Sequence, residues 1–284
     1  MQKKIEHILK GRAKQITKDE TVLQPLPHKD FRFANPFIVL HHQLPETVQA
    51  GSQRRIHPHP HRGFAPVTIM LQGKGFHQDN AGHSETVEAG DVQWMFAGKG
   101  LLHSEGPADD ILANGGIQEF VQLWINVPKD KKLSEPFYQT ARASEQPRIF
   151  EQEGIQFKLA AGGLDGKTGP LHSFTPVIIA DGKMQAGTRF LLTAQPGYWS
   201  LLYIISGKLN VNQESVEEQQ LIVFEKENDE ILLCAEEDTR LLFLSAEPIE
   251  EPVAAKDNFV MNTMEEIDQA LEDYKNGVFG TLNY

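Results

Sequence analysis

The sequence predicts an all-β fold, sandwich or barrel, in two domains of similar plan. Short apolar runs bounded by Gly, Pro, Asn, Asp or charge clusters recur along the whole chain. Two of these runs look like copies of each other. The 284 residues leave room for about two domains of ordinary size. A hydrophobic share of 40% with 23% charged residues is that of a globular chain, which excludes disorder as the main state.

The runs PVTIMLQGKG, VQLWINV, FTPVIIADG, SLLYIISGKLNV, QLIVFEK, EILLCAE and TRLLFLSAE are the expected strands. Residues 67–75 (VTIMLQGKG) and 202–209 (LYIISGKL) each pair an apolar strand with a Gly-Lys turn. A second turn follows in each half, Gly90-Asp91 and Asn228-Asp229, and then another apolar strand. The spacing of about 135 residues marks a weak internal repeat, so two β domains of similar plan are expected. The polar run 128–145, with Pro near each end, reads as the linker between them. The expected domains are therefore residues 1–135 and 136–284. One helix is expected, placed with the second domain. Thr263 and Glu266 form a capping box, Ile267, Ala270, Leu271 and Tyr274 an apolar stripe, and Gly277 a stop.

Charge and composition exclude several functions. There are 27 Lys and Arg against 39 Asp and Glu, a net of −12, which opposes direct binding to a nucleic-acid backbone. Residues 214–251 hold 13 acidic groups against Lys226 and Arg240, and most simply form a solvated face; a docking surface for a basic protein is the sharper alternative. No apolar run approaches membrane-spanning length. The basic N-terminus lacks the apolar core of a secretory signal, and Cys234 is the only cysteine, so a reducing cytoplasm is the expected location. Cys234 itself, in ILLCA, is expected to be a buried thiol.

Chemistry is concentrated in residues 56–107. His57, His59 and His61 alternate in HPHPH, and His103-Ser104-Glu105 closes the segment. Residues i and i+2 of a strand share a face, so a His pair and the His103/Glu105 pair can converge on one metal if their strands are neighbours. Both His57/His59 and His59/His61 have this spacing. The second is preferred because it directly precedes Arg62-Gly63-Phe64 and the next strand. Three imidazoles and a carboxylate suit Fe(II), Mn(II), Ni(II) or Cu(II), whereas a closed zinc site more often uses thiolates. Gly90, Gly98 and Gly100 mark turns that deliver His103. His77 and Asp79 alternate and either orient a ligand imidazole or lie on an exposed hairpin. Trp94, Met95 and Phe96, with Phe64, Val67 and Ile69, either line a pocket or fill a core. His41 and His42 lack partners at metal spacing.

The motifs His59-Pro60-His61-Arg62-Gly63-Phe64, Gly90-Asp91-Val92-Gln93-Trp94-Met95 and Ala97-Gly98 to His103-Ser104-Glu105 resemble the pirin family of the cupin superfamily. So does the C-terminal FVMNTMEEIDQALEDYKNGVFG. The resemblance spans residues 30 to 280 and implies a bicupin with metal only in its N-terminal barrel. It places the metal ligands on His59, His61, His103 and Glu105, with His57 outside the motif. It implies one iron per chain, with Mn, Ni, Cu or Zn as alternatives, and a monomeric protein. The activity it implies is quercetin 2,3-dioxygenase chemistry on a small aromatic substrate with O2. The alternative is an iron-binding regulator acting through a protein partner. Glu105 is the expected proton acceptor. The second half has His172 as its only histidine, so its barrel should be metal-free, filled by Leu202, Ile204 and Leu232, and serve as packing partner and lid.

Overall fold

The computed structural model describes residues 1–18 and 20–283. It is built from antiparallel strands, and the chain falls into two compact units. The first comprises Met1–Arg12, Gln24–Pro36 and Ser144–Pro248; the second comprises Ala13–Leu23, Phe37–Ala143 and Ile249–Tyr284. The units are therefore not the contiguous halves 1–135 and 136–284. The N-terminal segment pairs into the sheet of the first unit, where Ile5–Lys10 is an edge strand against Gln220–Phe224. The C-terminal helix Met264–Lys275 belongs instead to the second unit, packed with Phe259, Met261, Leu102 and Phe279. Both long-range pairings depend on partners some 160 to 220 residues away, which local periodicity does not encode.

The first unit has a sheet of seven strands and one of four. The four run in the order Arg189–Thr193, Glu230–Ala235, Lys208–Val211 and Glu214–Glu217. Its interior is filled: Leu202, Ile204, Phe157, Phe243, Leu192 and Leu233 are all buried in one apolar cluster. Leu232 is not among them. Ile231 and Leu233 face inward, so Leu232 and Cys234 face the other way, partly exposed. A one-residue change of strand register exchanges the two faces.

The second unit repeats the plan. Its four-stranded sheet has the order Ile56–His61, Leu101–Pro107, Lys74–Asp79 and Ser84–Glu88. Five strands lie consecutively in its larger sheet: Phe137–Ala141, Val92–Phe96, Phe64–Gln72, Gly116–Asn126 and Phe37–Val48. The repeat noted at 67–75 and 202–209 is thus the corresponding strand-turn-strand of each unit. The segment 128–145 is not a free linker. It carries the edge strand Phe137–Ala141 and the fully buried Lys132.

Candidate metal centre

The strand Ile56–His61 lies at an edge of its sheet, where Pro58 and Pro60 need not donate to a ladder on both sides. It pairs antiparallel with Leu101–Pro107, with His103 opposite His59 and Leu101 opposite His61. Between the His103–His59 and Glu105–Ile56 pairs the register shifts by one residue. This bulge takes His57 off the shared face and leaves it exposed, which decides between the two possible His pairs. The turns that deliver the ligands use glycine for a steric reason at Gly63. Its φ is +83°, and a Cβ there would lie 2.3 Å from the Val260 carbonyl oxygen.

His59, His61 and His103 converge. Their candidate ligand atoms lie within 4.8 Å of one another, and they are the one such metal-capable group among the described residues. Ring centroids are 4.3 Å apart for His59–His103, 4.8 Å for His61–His103 and 5.0 Å for His59–His61. His59 Nδ1 donates to the His57 carbonyl at 2.9 Å, and His61 Nδ1 donates to that of Asn258 at 3.1 Å. Each bond leaves Nε2 as the free ligand nitrogen. Both ring nitrogens of His103 are buried without a hydrogen-bond partner. Burial, followed by the neighbouring imidazoles, holds His61 and His103 well below the usual histidine pKa. Neutral imidazoles with bare nitrogens aimed at a common point are what a divalent metal requires, so the residues fit such an ion.

Glu105 is on the same strand but outside this group. Its carboxylate accepts from Gln122 Nε2 at 3.1 and 3.3 Å, and Trp124 Nε1 donates to Gln122 Oε1 at 3.4 Å. It also borders a small cavity of about 40 Å³ lined by Glu20, Arg54, Met70, Phe76 and Phe120. Burial, then the Glu105 charge, raises the Glu20 carboxyl to about 7.

His77 and Asp79 are fully buried rather than on an exposed hairpin. His77 Nε2 donates to Asp79 at 3.0 Å, Gln93 Nε2 donates to His77 Nδ1 at 3.1 Å, and His83 Nδ1 reaches Asp79 at 3.1 Å. Burial raises the Asp79 pKa, but the bonds from His77 and the His83 backbone outweigh it and hold the carboxyl below its usual value. The His77 ring lies 5.4 Å from that of His103.

Trp94 and Phe96 are buried, and Met95 packs with Ala97 and Leu101. Phe64 is buried as well; it and the half-buried Trp124 are the aromatic rings next to the site, with centroids 5.1 and 5.7 Å from that of His61. Trp124 and Gln122 were not singled out from the sequence. Their signal was the alternation in VQLWINV, where Gln122, Trp124 and Asn126 fall on the face opposite Val121, Leu123 and Ile125 and can offer hydrogen bonds. His42 is buried and pairs with Glu119 at 3.2 Å, while His41 is half-buried, with burial lowering its pKa to about 4. In the acidic stretch, Glu225, Asp229, Glu230 and Glu236 meet Lys4, the N-terminal ammonium and Lys208.

Residues 16–125 match the family described as Pirin, and residues 179–280 match the Pirin C-terminal cupin domain. Pirin-1 of Arabidopsis thaliana is 36% identical over 258 residues, covering 88% of this chain and 85% of that protein. The crystal structure of a quercetin 2,3-dioxygenase from Acinetobacter baumannii superposes with a TM-score of 0.94 at 33% identity, covering 100% of both chains. A bacterial pirin of Escherichia coli, solved in complex with nickel(II), shares the fold with a TM-score of 0.67 at 19% identity, covering 86% of this chain and 99% of that one. With two 7+4-stranded units, a His cluster in one of them and these matches along its length, the chain belongs to the pirin family of the cupin superfamily.

Proposed function

We propose that the protein is a metal-dependent dioxygenase that opens a flavonol-type ring with O2. The observation that carries the proposal is the buried His103, whose two ring nitrogens have no partner, beside the Nε2 atoms of His59 and His61. These three imidazoles would hold one divalent ion, with iron the first candidate, and Glu105 would be the fourth ligand. When bound, the ion supplies a positive charge that lowers the pKa of a coordinated hydroxyl.

The chain's own residues do the rest. Trp124, half-buried and backed by the buried Phe64 ring at 4.6 Å, offers a flat apolar face beside His61 for an aromatic ligand. Glu105 accepts the proton of the substrate's 3-hydroxyl. The Gln122 amide holds that carboxylate, and Trp124 Nε1 fixes which way the amide points. Both atoms of O2 enter the product as the ring opens with loss of carbon monoxide.

The test is metal analysis of the purified protein, followed by anaerobic flavonol addition and then air. We expect about one divalent ion per chain, a flavonol spectral shift on binding, and bleaching once oxygen enters. His61→Ala should abolish all three. Glu105→Gln should remain folded and lose about 10²-fold or more in turnover. A folded, metal-supplemented protein that takes up no metal would sink the reading. Metal at full stoichiometry without bleaching would reject this substrate.

A further inference from the structure

Of three consecutive residues, His61 and Arg62 are bonded directly to the C-terminal segment and Gly63 is tied to it through Lys132. The Asn258 carbonyl accepts from His61 Nδ1 at 3.1 Å. Val260 N donates to the Arg62 carbonyl at 3.1 Å. The Arg62 guanidinium donates to Asp273 Oδ2 at 2.7 Å and to the Lys99 carbonyl at 2.7 Å, and lies over the Phe279 ring at 4.6 Å. The buried Lys132 ammonium donates to the carbonyls of Gly63 at 2.8 Å and Val260 at 2.9 Å, tying the two segments together. The turn that leads to His103 is held in the same way. Phe279 fills the space a Cβ would need at Gly100, and Asn80 bridges the Phe279 carbonyl, at 2.5 Å, to Leu102 N, at 2.9 Å.

A metal-binding imidazole needs one nitrogen bare and aimed, and the bond at its other nitrogen sets both the tautomer and the ring orientation. We propose that the C-terminal segment 258–279 is a positioning element of the metal centre: it fixes His61 as the Nδ1–H tautomer and anchors both ligand-bearing turns, with Asp273 and Phe279 acting through Arg62 and Gly100. The inference rests on the three-histidine metal reading above. Asp273 and Phe279 touch neither metal nor substrate; they are positioning residues.

The first test uses the metal-free wild-type protein. Nitrogen-15 NMR of its histidine side chains should show His61 with the proton on Nδ1. A His61 protonated on Nε2, or exchanging between tautomers, overturns the proposal whether or not metal binds. The second test compares Co(II) affinity, read from the visible absorption of the bound ion, between wild type, Asp273→Ala and Thr263→Ala. Asp273→Ala frees Arg62, and its affinity should fall about 10-fold or more. Thr263→Ala removes the cap of the same helix without touching Arg62, so affinity should stay within about twofold while stability drops. Equal affinity in wild type and Asp273→Ala, or equal losses in both variants, overturns the positioning role. If Asp273→Ala does not fold, Phe279→Leu takes its place with the same expectations. Wild-type protein that binds no Co(II) refutes the metal reading, and the tautomer measurement still judges this one.

Discussion

Single residues in the second unit are arranged so that charge and its absence are both specified. Asp79 is buried and is shared by His77 and His83. Removing it leaves the buried His77 Nε2–H without its acceptor, and losing a hydrogen bond to a charged group costs about 1.5–3 kcal/mol. Asp79→Ala should lower the free energy of urea unfolding by that order. Glu20 is the opposite case. Burial and the Glu105 charge raise its pKa from 4.5 to about 7, so between those values the folded chain binds more protons than the unfolded one. Its contribution to stability is complete below pH 4.5 and is lost as the pH rises through about 7. In the metal-free protein, thermal unfolding followed from pH 4.5 to 8 should show this decline, and Glu20→Gln should flatten it. A slope unchanged in that variant would assign the decline to another group.

At the scale of elements, the site depends on one edge strand, one bulge and one glycine turn. Gly63→Ala would place a methyl group 2.3 Å from the Val260 carbonyl oxygen in a left-handed backbone conformation. That should cost at least about 2 kcal/mol in denaturant unfolding and weaken metal binding, because His61 is two residues away. Much of this was legible beforehand. The alternation in HPHPH and in His103-Ser104-Glu105 follows directly from the period of a strand, and the capping box of Thr263 and Glu266 formed as its spacing predicted. What was not legible required knowledge of partners. The bulge that removes His57 exists only relative to Leu101–Pro107. The exchange of terminal segments between units depends on contacts far apart in sequence. Ile231 and Leu233, rather than Leu232, face the core of the first unit because strand register, not hydrophobicity, chooses between adjacent apolar residues. Trp124 was passed over because an apolar strand buried on one face hides which residues its other face presents.

For the molecule as a whole, the instructive comparison is between two units of one plan. The strands that carry His59, His61, His103 and Glu105 have counterparts, in the same sheet order, in Arg189–Thr193 and Glu230–Ala235. There the inward residues are Phe190, Leu192, Ile231 and Leu233. One interior is thus closed by packing, and the other is left with buried imidazoles that a bound ion would satisfy. Their stabilities should respond to different perturbations. Phe243→Ala in the filled unit should cost about 3–5 kcal/mol and leave metal stoichiometry unchanged, because no ligand lies in that cluster. An ion that binds only the folded centre, at 100 times its dissociation constant, should add about 2.7 kcal/mol. Hydrogen exchange can locate that gain. Amides of Leu101–Pro107 and Ile56–His61 should become more protected when metal is added, and those of Trp199–Ser206 and Thr239–Ala246 should change less. His61→Ala should remove the metal-dependent protection, whereas Phe243→Ala should lower the baseline and preserve the increment. If metal protected both sets of strands equally, the two units would open as one cooperative body, and the separation of a packed unit from a metal-stabilised one would have to be given up.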